Sequence, residues 1–438
     1  MRRGFEAFFR SILRIFFRRI EIVGEDKVPR SGPTVMVLNH PNALVDPGIV
    51  LCFSPRPVSF LAKSTLFKMP VVSLLVKLFD SVPVYRRSDA ADASKNRETF
   101  ETARRILFSG GVLALFPEGI SHSEPNLQPL KTGAARIALG AASLAGEPVT
   151  IVPAGLFFTD KSRFRSEALL VYGEPLSAHP VDLDEAQEPS RADARALTDR
   201  LAVALESVTL LADEVEALAL VARAQRLYEA GEADTLHDSF ELRQRLLDGY
   251  VALRSAEPDT LQALVDDIDS LESDCLSLGL DPRQLDPSDF SAGRVLAYAA
   301  RAGVGLGVLF PIAALGFGLN YAPYRLVGIL SVRFAREEDD MIATAKVLGS
   351  LMFFPLFWAL AAVGLWFAAA PWAAAAALVL GPVTGLAVLV FSERFGSAIS
   401  AARGLAVFTR RREAYNDVVS RQAAVRERIN ALARQLSA

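Results

Sequence analysis

The stretch "TVMVLNHPNALVDPGIV" (34–50) decides how the chain is read. "TVMVL" is a short, β-branched apolar run of the kind that forms a buried strand. It ends in the polar pair Asn39-His40, and Asp46 follows six residues after the histidine. A strand that delivers an imidazole to its end, with a carboxylate one loop away, has the form of a site mouth. Asp46 admits two readings. "Asp-Pro" before "GIVLCF" fits a helix N-cap with proline at the first helical position. A capping carboxylate keeps spare acceptor capacity, so the same side chain could also orient His40. With no serine or cysteine nucleophile nearby, an Asp-oriented His points to a base acting on a substrate hydroxyl.

Outward from this stretch the pattern alternates. "TVMVL" (34–38), "VSFLA" (58–62), "SVPVY" (81–85), "VLALFP" (112–117), "TIVPAGL" (150–156) and "ALLVYG" (168–173) read as strands. Helical segments fall between them, over 47–53, 65–79, 90–109 and 131–145. Strands alternating with helices imply an α/β sheet with crossovers. Residues 181–189 form a Pro- and acid-rich linker, and 190 to about 280 carries helical periodicity.

At 438 residues the chain holds two or three units. Its mean hydropathy of +0.27 is high for a soluble protein and is concentrated in two places. Residues 347–392 contain no charge, room for two spanning helices with a turn near Pro371. A second uncharged run, 302–324, contains Pro311 and several glycines. It reads either as a buried helix or as a broken, re-entrant membrane element. At the N-terminus, Phe5, Phe8, Phe9, Ile12, Phe16 and Ile20 recur at helical spacing, with Arg3, Arg10, Arg14 and Arg18 on another face. That pattern suits a basic helix lying in a membrane interface, or one that packs on the domain behind it. It is a poor signal peptide, since Arg interrupts the apolar run.

Residues 181–290 carry 26 Asp and Glu against nine Arg and no Lys, so the net charge of −3 hides a basic remainder. The acidic region reads as solvated. The basic remainder fits phosphate-bearing ligands and an anionic membrane surface. No basic run is interleaved with aromatics in a nucleic-acid module, so nucleic acid is not an expected partner. Cys52 and Cys275 stand far apart and read as reduced thiols. Four unclustered histidines argue against a zinc site.

Three further stretches carry chemistry. "ALFPEGISHSEPNLQPLKTGAARIAL" (114–139) places Pro117-Glu118-Gly119 after a strand and Lys131 at a helix start. It is either an ordinary turn or a backbone anion site, with His122 in its loop. "DSVPVYRRSD" (80–89) delivers Arg86 and Arg87 to a strand end. "IVPAGLFFTDKSRFRSEALLVYGEP" (151–175) places Lys161, Arg163 and Arg165 in a hairpin. Arginines at such positions are solvated surface charges or bidentate partners for a phosphate monoester.

In this order, "NHPNALVDP", "SVPVYRR", "FPEGISH" with "LKTGAARIAL", and "IVPAGL" resemble the four motif blocks of the glycerolipid acyltransferase superfamily, over roughly 30–175. "FRSEALLVYGEPL" and "YAPYRLVGIL…ATAKVLGSLMFFPLFW" resemble a subgroup related to fungal glycerol-3-phosphate/dihydroxyacetone-phosphate acyltransferases. The resemblance implies an α/β acyltransferase domain, a mixed sheet with flanking helices. A helical region and C-terminal transmembrane helices follow it. It implies acyl transfer from acyl-CoA or acyl carrier protein, as co-substrate, to a hydroxyl of a phosphorylated glycerol in phospholipid biosynthesis. No cofactor or metal is expected, because the thioester is already activated. His40 would be the base and Asp46 its partner. Glu118 and Gly119 would lie at the acceptor, with Arg86, Lys131, Arg163 and Arg165 as a phosphate clamp. In one respect the chain departs from most of the superfamily, with five residues between His40 and Asp46 instead of four. The extra residue must be absorbed in the loop.

The expected layout is a membrane-interface helix over 1–24, the α/β domain over 25–180 and an acidic helical region over 181–295. A membrane region over 296–393 (re-entrant 302–320, spans 347–369 and 373–392) and a basic cytoplasmic tail over 394–438 complete it. Positive charge flanking the apolar runs puts the catalytic domain on the cytoplasmic face. Membrane lipid, a thioester donor and a phosphorylated glycerol are the expected partners. Two rival readings remain, a lysophosphatidate or lysophospholipid acyltransferase and an inactive membrane scaffold or lipid-transfer protein.

Overall fold

The computed structural model describes residues 2–68, 73, 76–77, 79–85, 96–229, 235–282, 292–335 and 339–436. The chain divides into two units, Met1–Asp213 with Phe334–Val347, and Glu214–Arg333 with Leu348–Ala438.

The first unit is built on one mixed sheet. Its strands are β1 (Arg19–Val23), β2 (Thr34–Leu38), β3 (Val58–Lys63), β4 (Val82–Val84), β5 (Val112–Leu115), β6 (Val149–Phe158), β7 (Glu167–Tyr172) and β8 (Leu176–Ala178). The order is β1-β7-β6-β2-β5-β3-β4, with β8 also on β6. β2 lies between β5 and β6 and is parallel to both, Thr34 pairing with Val112 on one side and Thr150 on the other. Every residue of β2 is buried, as a central parallel strand covered on both faces must be. β6 turns back antiparallel into β7. Because β2, β5 and β6 run the same way, their C-terminal ends share one edge, where open α/β sheets place their ligands. Around the sheet lie α1 (Arg2–Phe16), α2 (Val45–Phe53), α3 (Asn96–Phe108), α4 (Gly133–Ala145) and α5 (Arg191–Glu206).

Several expectations change here. The N-terminal segment is not one interface helix. Residues 19–23 are the edge strand β1, parallel to β7. α1 turns its apolar stripe inward, with Leu13 and Phe16 buried in the core and Phe9 and Ile12 packed against it. Arg10 donates from Nε to the Cys52 carbonyl at the end of α2, 2.9 Å. The outward face is left with Arg3, Phe8, Arg14 and Ile15. The domain therefore includes the N-terminal segment and extends past 180 to 213. The expected helix over 65–79 begins as a 3-10 turn, Ser64–Lys68, and most of the rest lies outside the described residues.

The second unit holds α6 (Val215–Tyr228), α7 (Leu236–Ala256), α8 (Pro258–Leu278), α9 (Ala292–Ala335), most of α10 (Asp339–Ala368), α11 (Pro371–Arg410) and α12 (Arg412–Leu436). The acidic region and the basic tail were expected apart, but they are one bundle. Leu227, Ile268, Leu271, Tyr415, Val418 and Ile429 share a buried cluster. Arg421 pairs with Asp274 and Arg428 with Asp267 across it. Exposed ion pairs add little stability, so the apolar cluster holds the bundle and the charges set its register.

Segments Arg301–Ala335, Asp339–Ala368 and Pro371–Arg410 are each long and apolar enough to cross a membrane. Their surfaces leave Phe310, Phe317, Trp366, Phe367 and Trp372 uncovered, as lipid-facing helices do. Buried Asn320 joins the three. It donates to the Gly316 and Gly381 carbonyls and accepts from Trp358 Nε1, at 2.9, 3.2 and 2.9 Å. A Cβ at Gly381 would meet the Trp358 ring at 2.6 Å, so glycine permits the close packing that membrane helices favour. The broken path expected over 302–320 is absent. α9 runs unbroken through Pro311 and Pro323, since membrane helices tolerate proline when neighbouring groups satisfy the backbone.

Candidate active site

Three loops meet at the C-terminal edge of β6, β2 and β5. The first follows β2. Asn39 makes two bonds to Leu156 of β6, donating to its carbonyl at 3.0 Å and accepting from its amide at 2.7 Å. The amide thus continues the β2–β6 pairing by one residue and fixes where the chain leaves the sheet. His40 then lies flat on Phe116, with ring centroids 3.7 Å apart and planes 8° from parallel. Its Nδ1 is 2.9 Å from Asp46 Oδ2. Asp46 is fully buried and is not an N-cap. α2 begins one residue earlier, at Val45, and the carboxylate accepts from the Asn42 amide at 2.6 Å. Burial pushes the Asp46 carboxyl above its usual range, and the bond to His40 and the Asn42 amide pull it back. An ionised Asp46 accepts a hydrogen bond from Nδ1–H, which fixes the tautomer and leaves Nε2 as the basic nitrogen.

The second loop follows β5. Gly119 sits at φ +75°, and a Cβ there would come within 3.0 Å of Lys131 Cδ. Lys131 is anchored by its amide to the Pro117 carbonyl at 2.8 Å, so its side chain lies across the Gly119 turn. Glu118 is buried, and both its oxygens are committed. One accepts from the His40 amide at 3.2 Å, the other from the Gln128 amide at 2.8 Å and from His122 Nε2. The His122 amide donates to the His40 carbonyl at 3.1 Å. Glu118 and His122 therefore hold the backbone of His40 from both sides.

The third loop is the β6–β7 hairpin. Lys161 reaches back from it to the Pro41 carbonyl, 3.3 Å, and to the Ser123 hydroxyl. Asn42 donates to the Lys161 carbonyl at 2.9 Å. Burial pushes the Lys161 ammonium below its usual range, and Asp340, Asp339 and Asp46 pull it back. Lys161 thus ties all three loops together.

The acyltransferase family profile matches residues 19–156, from β1 through most of β6. This is an acyltransferase domain. The chain is 35% identical to glycerol-3-phosphate O-acyltransferase 2 of Saccharomyces cerevisiae over 36% of its own length and 22% of that protein. It is 25% identical to glycerol-3-phosphate O-acyltransferase 1 of the same yeast over 80% of this chain and 59% of that one. With the 1-acyl-sn-glycerol-3-phosphate acyltransferase of Borreliella burgdorferi it shares 27% over 37% of this chain and 61% of that one. The chain thus spans less than two thirds of the yeast proteins it matches.

Within the acyltransferase domain, His40, Asp46, Glu118, Gly119 and Lys131 come together as the sequence suggests, but not all in the roles expected. Glu118 is a clasp on the His40 backbone, with both oxygens bonded to neighbouring groups. Arg165 is turned to α1. Its guanidinium donates to the Arg14 and Ile15 carbonyls at 3.3 and 3.2 Å, closing the end of α1. Arg163 is exposed on the hairpin. Arg86 lies outside the described residues, two positions beyond β4. Phe116, Asn42 and Lys161 join the site, and so does Thr344. Its hydroxyl, on the first turns of α10, accepts from the Leu44 amide at 3.1 Å. Charge and proximity to a hairpin pointed to Lys161. Nothing local pointed to Phe116, which reads as the last residue of a strand.

Proposed function

We propose that this protein is a membrane-bound O-acyltransferase that moves a fatty acyl group from a thioester to a hydroxyl of glycerol 3-phosphate. The observation that carries this is His40, pinned through Nδ1 to a buried carboxylate and laid on Phe116 at the sheet edge. In the reaction Nε2 takes the hydroxyl proton as the oxygen attacks the thioester carbon. The C–O bond forms, the C–S bond breaks, and the proton passes from the imidazolium to the departing thiolate. Asp46 and the face of Phe116 both favour the imidazolium while it lasts. Lys131, Lys161, Arg163 and Arg86 supply positive charge for the acceptor phosphate. The names of the two yeast relatives favour glycerol 3-phosphate as acceptor, and that of the Borreliella relative favours its 1-acyl derivative.

Purified protein in detergent, given labelled acyl-CoA or acyl carrier protein with a panel of acceptors, tests this. Transfer to glycerol 3-phosphate is expected. Transfer to lysophosphatidate alone moves the acceptor assignment. No transfer to any acceptor returns the scaffold reading.

We infer a cytoplasmic face for the domain, with α10 and α11 as the spans. Their turn near Pro371 is uncharged, whereas Arg301, Arg325 and Arg333 flank the apolar part of α9 and Arg403 to Arg412 follow α11. α9 is then the helix that does not cross, with Asn320 bonded to Trp358 and Gly381 of the two spans. On a background lacking Cys52 and Cys275, a cysteine at Ala370 should label from outside intact cells and one at Gln435 should not. Equal labelling would mean three spans.

A further inference from the structure

The sequence has one residue more between His40 and Asp46 than most of the superfamily it resembles, and the loop between them contains a strained residue. Ala43, buried in the loop, has φ +23°, on the positive side that non-glycine residues avoid. The next residue, Leu44, is the N-cap of α2 and no side chain of its own loop caps the helix there. Amides at a helix start have no intrahelical acceptor. The one at Leu44 is met by Thr344 Oγ1, 300 residues downstream.

Thr344 is itself held in place. Ala343 and Val347, one turn apart on α10, are buried in the same core cluster as Met36, Leu38, Val45 and Ile49. Lys346 donates to the Ser162 carbonyl at 2.7 Å. The start of α10 therefore grips two of the three site loops, and Phe334–Val347 belongs to the acyltransferase domain by packing.

We propose that Thr344 is a positioning residue for acyl transfer: its hydroxyl oxygen holds the enlarged His40–Asp46 loop in the one conformation that keeps the two side chains in contact. The catalytic loop is thereby latched to the helix that continues into the apolar region. Without the acceptor, the strained bend at Ala43 loses its tie to α10, and the Asn42 amide loses its register on Asp46. The proposal rests on the acyltransferase reading for its kinetic consequence but not for its structural one.

The test uses the full-length protein in detergent with Thr344→Val, which keeps the shape and removes the acceptor, and Thr344→Ser, which keeps the acceptor. Amide hydrogen exchange over residues 42–48 is expected to accelerate in the Val variant and return to wild-type rates in the Ser variant. The Val variant should lose about tenfold in kcat, within the range that small misplacements of a reacting group produce, with both KM values within about twofold of wild type. The Ser variant should recover most of that loss. Unchanged exchange in Thr344→Val overturns the proposal, and so does a Ser variant as impaired as the Val variant. If the wild-type protein transfers no acyl group, the exchange result still decides for or against the latch.

Discussion

The two histidine–carboxylate pairs at the sheet edge invite comparison. In each, a buried carboxylate touches a histidine that is 14% exposed. The difference lies in which ring nitrogen is committed and what else the carboxylate holds. Asp46 engages Nδ1 of His40, so Nε2 is the nitrogen that the proposed reaction would use. Glu118 engages Nε2 of His122, and the remaining Nδ1 is buried with no hydrogen-bond partner among the described residues. Glu118 spends its other bonds on the backbone of His40 and Gln128. Both pairs have the same chemistry, but one has the arrangement the proposed proton exchange requires and the other holds a loop.

If that distinction is right, His40→Ala should lower turnover by about 10²–10⁴-fold while folding and membrane insertion persist. Retention of more than roughly a tenth of wild-type turnover would falsify the base assignment. Asp46→Asn should cost less than His40→Ala, because the base remains and only its orientation and charge balance suffer. His122→Ala should cost about tenfold or less, through displacement of the His40 backbone. A loss equal to that of His40→Ala would make both histidines proton carriers and erase the distinction. Arg163→Ala, further out, should raise the acceptor KM and leave kcat and donor KM nearly unchanged. A rise in donor KM instead would put the hairpin on the donor.

The smallest effect concerns stability. Burial raises the Asp46 carboxyl above its usual range, with the His40 bond opposing. A group that binds its proton more tightly when folded makes the protein lose stability as pH climbs through and above the ordinary aspartate range, ~3.9. Asparagine has no such charge. The melting temperature of Asp46→Asn relative to wild type should therefore improve as pH rises from about 3 to about 7, measured in detergent. A relative decline would mean that pairing with an imidazolium outweighs burial.

Much of the first unit is legible in the sequence because its signals are local. β2, β5 and β6 are β-branched runs that end at His40, Phe116 and the basic hairpin, and the alternation with helices fixes their direction. What is hidden depends on distance or on competing use. "RIEIV" alternates charge and apolar residues and so merges with the amphipathic pattern of α1, although it is the edge strand β1. Arg165 looks like a phosphate ligand until the end of α1 is seen to need a donor. Thr344 sits in an apolar helix far along the chain, with nothing in its neighbours to link it to His40. The charges of the acidic region and the tail look solvated when counted separately. Their partners are each other, which no window of local sequence can reveal.

That bundle has a consequence for how the chain traverses a bilayer. α6, α7 and α8 precede the apolar helices and α12 follows them, yet Leu227, Leu271, Tyr415 and Ile429 are buried in one cluster. A packed cluster cannot be divided between two aqueous compartments. The chain that leaves it after Leu280 and rejoins it at Val407 must return to the compartment it left. The number of crossings in between is even. Three helices have the length and composition to cross, and on this argument one of them would not. Parity alone, without counting a single charge, favours two crossings over the three that hydropathy would draw.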